Sequence, residues 1–178
     1  YPYTKLMNSN NSVDQGAALI LTSVGKAREL GIAEDRWVYP HAGTEAWDHL
    51  YVSERDNLHS SPAIRFAAAK LFDLTGFGVA DMDFIDLYSC FPAAVQVSAN
   101  EIGIPQDRPL TVTGGLTFAG GPLNNYVMHS VARTVDLLRA KPGAKGLVTA
   151  NGGLLTKHAL CVYSTEAPDK PFAWADLQ

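Results

Sequence analysis

Apolar and polar positions alternate between two periods along this chain, and the alternation marks out strands and helices in turn. Residues 16–22 (GAALILT) form a continuous apolar run of strand length, the pattern of a strand covered on both faces. Residues 23–30 (SVGKAREL) follow as a helix, with Ser23 placed to cap it and Gly31 to close it. Residues 36–42 are rich in strand formers, but Pro40 predicts an edge position or a bulge. Residues 47–58 are polar and irregular. Ser61-Pro62 then starts a helix whose buried face holds Ile64, Ala67, Ala68, Leu71 and Phe72, and Gly76 ends it.

Residues 84–88 (FIDLY) read as a short strand running into a helix over residues 91–102, with Pro92 in its first turn and Gly103 as its stop. A Gly-rich stretch leads into a further helix over residues 126–140. There Val127, Val131, Val135 and Leu138 recur every three or four positions and form the expected buried stripe. Two strands, 146–150 and 158–164, close the pattern. The tail from Pro168 is expected to fold back through Phe172 and Trp174. Strands alternating with helices predict one layered α/β domain, a mixed sheet with helices on both faces.

Composition narrows the function classes. The chain has 178 residues, 47% of them hydrophobic, enough for one domain with a core. Charged residues are 18%, below the roughly 25% of ordinary soluble domains, which predicts surface covered by a partner, a further domain or a ligand. A net charge of −4 without a basic run argues against nucleic-acid binding. No apolar stretch is long enough for a membrane span. Two cysteines, Cys90 and Cys161, and five histidines lack metal-ligand spacing, and a reduced, cytoplasmic setting is the expectation. The opening YPYTKLMNSNNS reads as a loop entered mid-protein, so residues 1–178 are expected to be part of a longer chain.

Three segments and a weaker fourth, taken together and in order, carry a resemblance. Asn11-Ser12-Val13-Asp14-Gln15-Gly16-Ala17-Ala18 resembles the small-residue, acid and Gly-Ala-Ala entry to the thiolase C-terminal domain. Asp86-Leu87-Tyr88-Ser89-Cys90-Phe91 is similar to that family's Asn-Glu-Ala-Phe or His-Asp-Cys-Phe segment. Gly114-Gly115-Leu116-Thr117-Phe118-Ala119-Gly120-Gly121-Pro122-Leu123 resembles its Gly-His-Pro-Leu-Gly loop, and Thr149-Ala150-Asn151-Gly152-Gly153 its Cys-x-Gly-Gly. The best fit is to thiolase-like proteins of the sterol-carrier-protein type.

The resemblance implies a five-stranded mixed sheet, the second of two similar halves. It implies an acyl-CoA thioester as substrate rather than a resident cofactor, possession of an N-terminal thiolase half, and a homodimer or an OB-fold partner. It also exposes departures. The family histidine falls on Gly121, the family acid–base cysteine on Ala150, and the water-holding Asn or His on Tyr88. Neither glycine nor alanine can move a proton. The resemblance therefore leaves Tyr88 as the candidate catalytic group. Cys90, Gly120, Gly121, Asn124, Asn151 and Gly152 are the candidate substrate-binding positions. Tyr126 offers a second phenol, and His129 and His158 are candidates for the missing histidine. Three readings stand: an acyl-CoA-processing acyltransferase or lyase half, including a retro-aldolase subunit; a non-catalytic acyl-CoA or lipid-binding module; and a dimer-forming domain. Asp14 and Asp86 read as caps or surface acids.

Overall fold

A computed structural model describes residues 3–177. Residues 1, 2 and 178 lie outside it, and with them the first part of the opening loop. The five strands are β1 (Tyr39–Trp47), β2 (Phe84–Asp86), β3 (Lys145–Gly152), β4 (Lys157–Ser164) and β5 (Ala173–Leu177). The helices are α1 (Val24–Glu29), α2 (Pro62–Thr75), α3 (Pro92–Ile102), the single turn α4 (Gly115–Phe118) and α5 (Tyr126–Ala140). The sheet is mixed, in the order β2-β3-β4-β1-β5. β2 runs parallel to β3, β3 and β1 are antiparallel to β4, and β5 is parallel to β1.

Strand alternation assigns the two faces. Thr44 of β1 donates through Oγ1 to the Ala67 carbonyl of α2 at 3.0 Å, so Thr44, Leu160, Leu147, His158 and Asn151 look toward α2. Gly146 meets Thr134 and Leu138 of α5 on the opposite face. The core lies on the α2 side, built from Ile64, Ala67, Leu71, Ile85, Leu87, Leu147, Leu160 and Val162. The predicted caps hold: Ser23 accepts from the Lys26 amide, Ser61 from the Ile64 amide, and Gly76 ends α2 at φ 71°.

Four expectations need correction. Residues 16–22 form no strand. They are irregular and largely exposed, with Ile20 at 93% and Leu21 at 82%. An apolar run of strand length forms a strand only where a neighbour pairs with it, and no strand of the described residues pairs with this one. β1 begins later than expected and reaches Trp47. It is interior rather than an edge, and the Pro40 effect appears as a register shift between Pro40 and Ala42. The buried stripe of α5 is Tyr126, Ser130, Thr134 and Leu138, not the valines, which are only half-buried. Small and polar side chains let α5 approach the sheet closely, where Gly146 gives way to Thr134. Asp86 is neither a cap nor a surface acid: it is fully buried.

Candidate functional site

Because β2 and β3 are parallel, their C-terminal ends reach the same edge of the sheet. Ligands of open α/β sheets bind at such an edge. Tyr88, Ser89 and Cys90 follow β2 there, and Asn151 and Gly152 end β3. The Tyr88 amide donates to Thr149 Oγ1 at 2.9 Å, and Cys90 Sγ lies 4.0 Å from Asn151 Oδ1. The Tyr88 ring stands edge-on to Tyr126, with centroids 5.5 Å apart. Its hydroxyl has no hydrogen-bond partner among the described residues, and neither has the buried Asn151 Nδ2.

Asp86 organises this end of the sheet. Its Oδ2 accepts from the amides of Val112 (2.9 Å) and Thr113 (3.1 Å) and from Thr113 Oγ1 (3.0 Å). Its Oδ1 accepts from the Tyr126 hydroxyl at 2.8 Å and from Ser130 Oγ. A buried carboxylate is tolerated only when its lone pairs are filled, and here five donors fill them. One side chain thus ties β2 to the Gly-rich loop and to α5. Ser89 adds a second tie, accepting from the Leu116 amide at 3.0 Å. Gly115, at φ 80°, sits so close to Ser89 that a Cβ would reach its Oγ at 2.9 Å, which requires glycine twice over.

The Gly-rich loop does not lie open. Residues 7–15 run across it. The Ser9 amide donates to the Cys90 carbonyl, the Asn10 amide to the Leu116 carbonyl, and the Gly121 amide to the Asn10 carbonyl. Thr117 Oγ1 donates to the Met7 carbonyl, and Gln15 Nε2 to the Ala119 carbonyl. The space beside Gly121 is taken by Ser9 and Asn11, whose side chains bond each other at 2.9 Å.

The sequence candidates therefore divide. Tyr88, Cys90, Asn151 and Gly152 converge on one sheet edge. Gly120 and Gly121 are joined to them through Ser9 but lie beneath the strap. Asn124 stands exposed in a 3-10 turn with no side-chain partner among the described residues. Tyr126 is buried and committed to Asp86; burial and that carboxylate raise its pKa, so it holds its proton. Among the described residues, the His129 side chain bonds only Asn125, at 3.5 Å. The sequence reading singled out the turn of Ser89 and Cys90 but gave no role to Ser9, Asn11 or Thr149, whose small polar side chains carry no periodic signal.

Burial raises the Tyr88 pKa, with Cys90 adding to it, so the phenol is a donor and not a base at neutral pH. Burial also raises the Cys90 thiol, more than its bonds to Asn151 and nearby backbone lower it. Cys90 is thus no activated nucleophile, although it sits beside the start of α3. A groove of about 270 Å³ opens at this end of the sheet, lined by Glu45, Trp47, Asn151, Gly152, Lys157 and His158 among others.

No protein-family profile matches the chain. A monomeric SCP2-thiolase-like protein type 1 from Mycobacterium smegmatis superposes over 93% of this chain with a TM-score of 0.87 and 42% identity. The chain is thiolase-like. A 3-ketoacyl-CoA thiolase of Erwinia tasmaniensis is 29% identical over 165 residues, 83% of this chain, and acetyl-CoA acetyltransferase 1 of Arabidopsis thaliana is 26% identical over 147 residues, 82% of it. The peroxisomal 3-ketoacyl-CoA thiolase of Saccharomyces cerevisiae shares the fold, with a TM-score of 0.59 over 72% of this chain at 19% identity. The thiolase-like chain spans only about a third of these relatives, 36% of the Erwinia protein and 37% of the Mycobacterium one. Among its described residues, no helix is long and apolar enough to cross a membrane.

Proposed function

We propose that this chain forms the acyl-CoA-handling C-terminal half of a thiolase-like protein and that the thioester lies against Tyr88 and Asn151. The observation that carries the reading is the pairing of parallel β2 and β3, which brings Tyr88 and Asn151 to one end of the sheet, each with a donor that has no partner among the described residues. Both can donate to a thioester carbonyl, and neither titrates near neutrality. Gly121 and Ala150 give this half no base at the two family positions. Its contribution is binding and proton donation by Tyr88, with any nucleophile supplied from elsewhere. The 3-ketoacyl-CoA thiolases and acetyl-CoA acetyltransferase among its relatives support the substrate class.

The exposed Ile20 and Leu21 support a further core domain as partner. So does the sheet surface over β4 and β1 on the α5 side, where no described helix lies. The yeast thiolase is a five-layered structure built from two core domains of identical topology. A small OB-fold subunit and a second copy of the chain remain partners to test alongside it.

Calorimetric titration of the full-length protein with acetyl-CoA and with a steroid side-chain acyl-CoA tests the reading. Binding is expected, weakened about five- to tenfold in Tyr88→Phe and in Asn151→Ala, the loss of roughly one hydrogen bond. Unchanged affinity in both variants sinks the site, and a preference between the two thioesters assigns the acyl class.

A further inference from the structure

A second polar cluster lies behind the site, on the α2 face of the sheet. His158 pairs directly with Asn151 across the β3–β4 ladder, so the two side chains share that face. His158 Nε2 lies 3.3 Å from Asp48 Oδ2 and 3.3 Å from Ser61 Oγ. Ser61 Oγ donates to Asp48 Oδ2 at 2.5 Å, and Asp48 Oδ1 accepts from the Ala63 amide at 3.3 Å. The Leu155 carbonyl also acts on the imidazole, raising its pKa; with Nε2 facing Asp48 and Ser61, it falls to the Nδ1 side of the ring. Leu155 sits at φ 52°, a left-handed conformation costly for a branched side chain, in the turn that follows Asn151 and Gly152. The surroundings add Arg55, which grips the Leu154 carbonyl and Thr156 Oγ1. They also add Glu101 of α3 on the Ser61 amide, and Glu45 and Lys157 at the adjoining groove.

This is not a nucleophilic triad, because Asp48 and Ser61 meet the same imidazole nitrogen and Ser61 is buried. Counting protons shows what it is. A neutral imidazole has one N–H, yet the ring faces two groups that only accept, Asp48 and the Leu155 carbonyl. The imidazolium satisfies both, and Ser61 then keeps its hydroxyl proton on Asp48. When the ring loses a proton from Nε2, that nitrogen becomes an acceptor and must find a donor. The Ser61 hydroxyl is within reach.

We propose that His158 is a positioning residue for the Asn151 cleft, and that the Ser61 hydroxyl switches between Asp48 and His158 as the imidazole gains or loses a proton. In the protonated state the ring links the strained Leu155 turn to Asp48 and the start of α2. In the neutral state the Asp48 link opens while Nδ1–H stays on Leu155, loosening the end of β3. Burial lowers the His158 pKa and Asp48 raises it, with burial prevailing, so the linked state forms on the acid side of the ordinary histidine range. Its effect on ligand rests on the acyl-CoA reading; the switch itself does not.

Imidazole nitrogen NMR of the full-length protein across pH 4.5–8.5 tests the switch. Neutral His158 is expected as the Nδ1–H tautomer, the minor one for free imidazole. Ser61→Ala should raise its midpoint, since the neutral ring loses its donor, and Asp48→Asn should lower it. An Nε2–H tautomer, or midpoints moving in one direction in both variants, overturns the proposal; should the variants not fold, the wild-type tautomer alone decides. The Kd for acetyl-CoA should then inflect with His158 and move upward in pH with Ser61→Ala, and an inflection that stays put refutes the positioning role. Absence of acetyl-CoA binding at every pH would overturn the proposed function instead, leaving the tautomer to judge the switch.

Discussion

Ser9 occupies the space that any side chain on Gly121 would need: a Cβ built there would collide with Ser9 Oγ. The position that resembles the family histidine is therefore not an empty slot. A strap from elsewhere in the chain has closed over it, held by the Asn10 carbonyl on the Gly121 amide at 2.8 Å.

Restoring histidine should accordingly harm the fold rather than rescue a lost base. Gly121→His is expected to cost about 1–3 kcal/mol, the range for overpacking a filled site. It should also raise the protease sensitivity of residues 7–15. Part of that loss should return in the double variant with Ser9→Gly. Thermal melts and limited proteolysis measure both, and an unchanged melt would show that the strap yields freely.

Asp86→Asn keeps the shape but turns one acceptor into a donor among five donors. A loss of about 2–4 kcal/mol in denaturant unfolding is expected. Tyr126→Phe, which removes one of five donors to Asp86 and the contact of that hydroxyl with Thr113 Oγ1, should cost less, about 1 kcal/mol. Equal effects from the two would contradict a central role for the carboxylate.

Cys90 should behave as a protonated, shielded thiol. Its alkylation by iodoacetamide at neutral pH is expected to be slower than that of a free cysteine peptide and to climb steadily into the alkaline range, because burial raises its pKa. A rate already flat at neutral pH would mark a stabilised thiolate and contradict the shielded state.

Acid stability should depend on Glu101. Burial pushes its pKa up. The bonds from Ser60, the Ser61 amide (2.9 Å) and Arg65 (2.8 Å) outweigh that and hold it below the usual value. A lowered folded pKa means stability that is present above the ordinary glutamate range and lost as pH falls through the folded value. Glu101→Gln should therefore unfold more easily at neutral pH while showing a shallower decline in acid. Parallel pH–stability curves for the two proteins would reject this.

Much of the architecture was legible in the sequence because it rests on local rules. Ser61-Pro62 and Gly76 bound α2 through capping and backbone preference, and Ser23 caps α1 by the same physics. The run from Phe84 into Pro92 placed Tyr88 and Cys90 at a strand–helix junction, and the ordered glycine motifs gave the resemblance that the structural comparison bears out. Tertiary structure alone decided the rest. Periodicity marked valines as the buried stripe of α5, but close approach to Gly146 and a bond to Asp86 favoured Ser130 and Thr134. The run at residues 16–22 has the composition of a strand, yet pairing needs a neighbour, and composition does not supply one. Asp86, Ser9 and His158 gain their roles from partners 26 to 112 residues away in sequence, and no local pattern records contacts made at that separation.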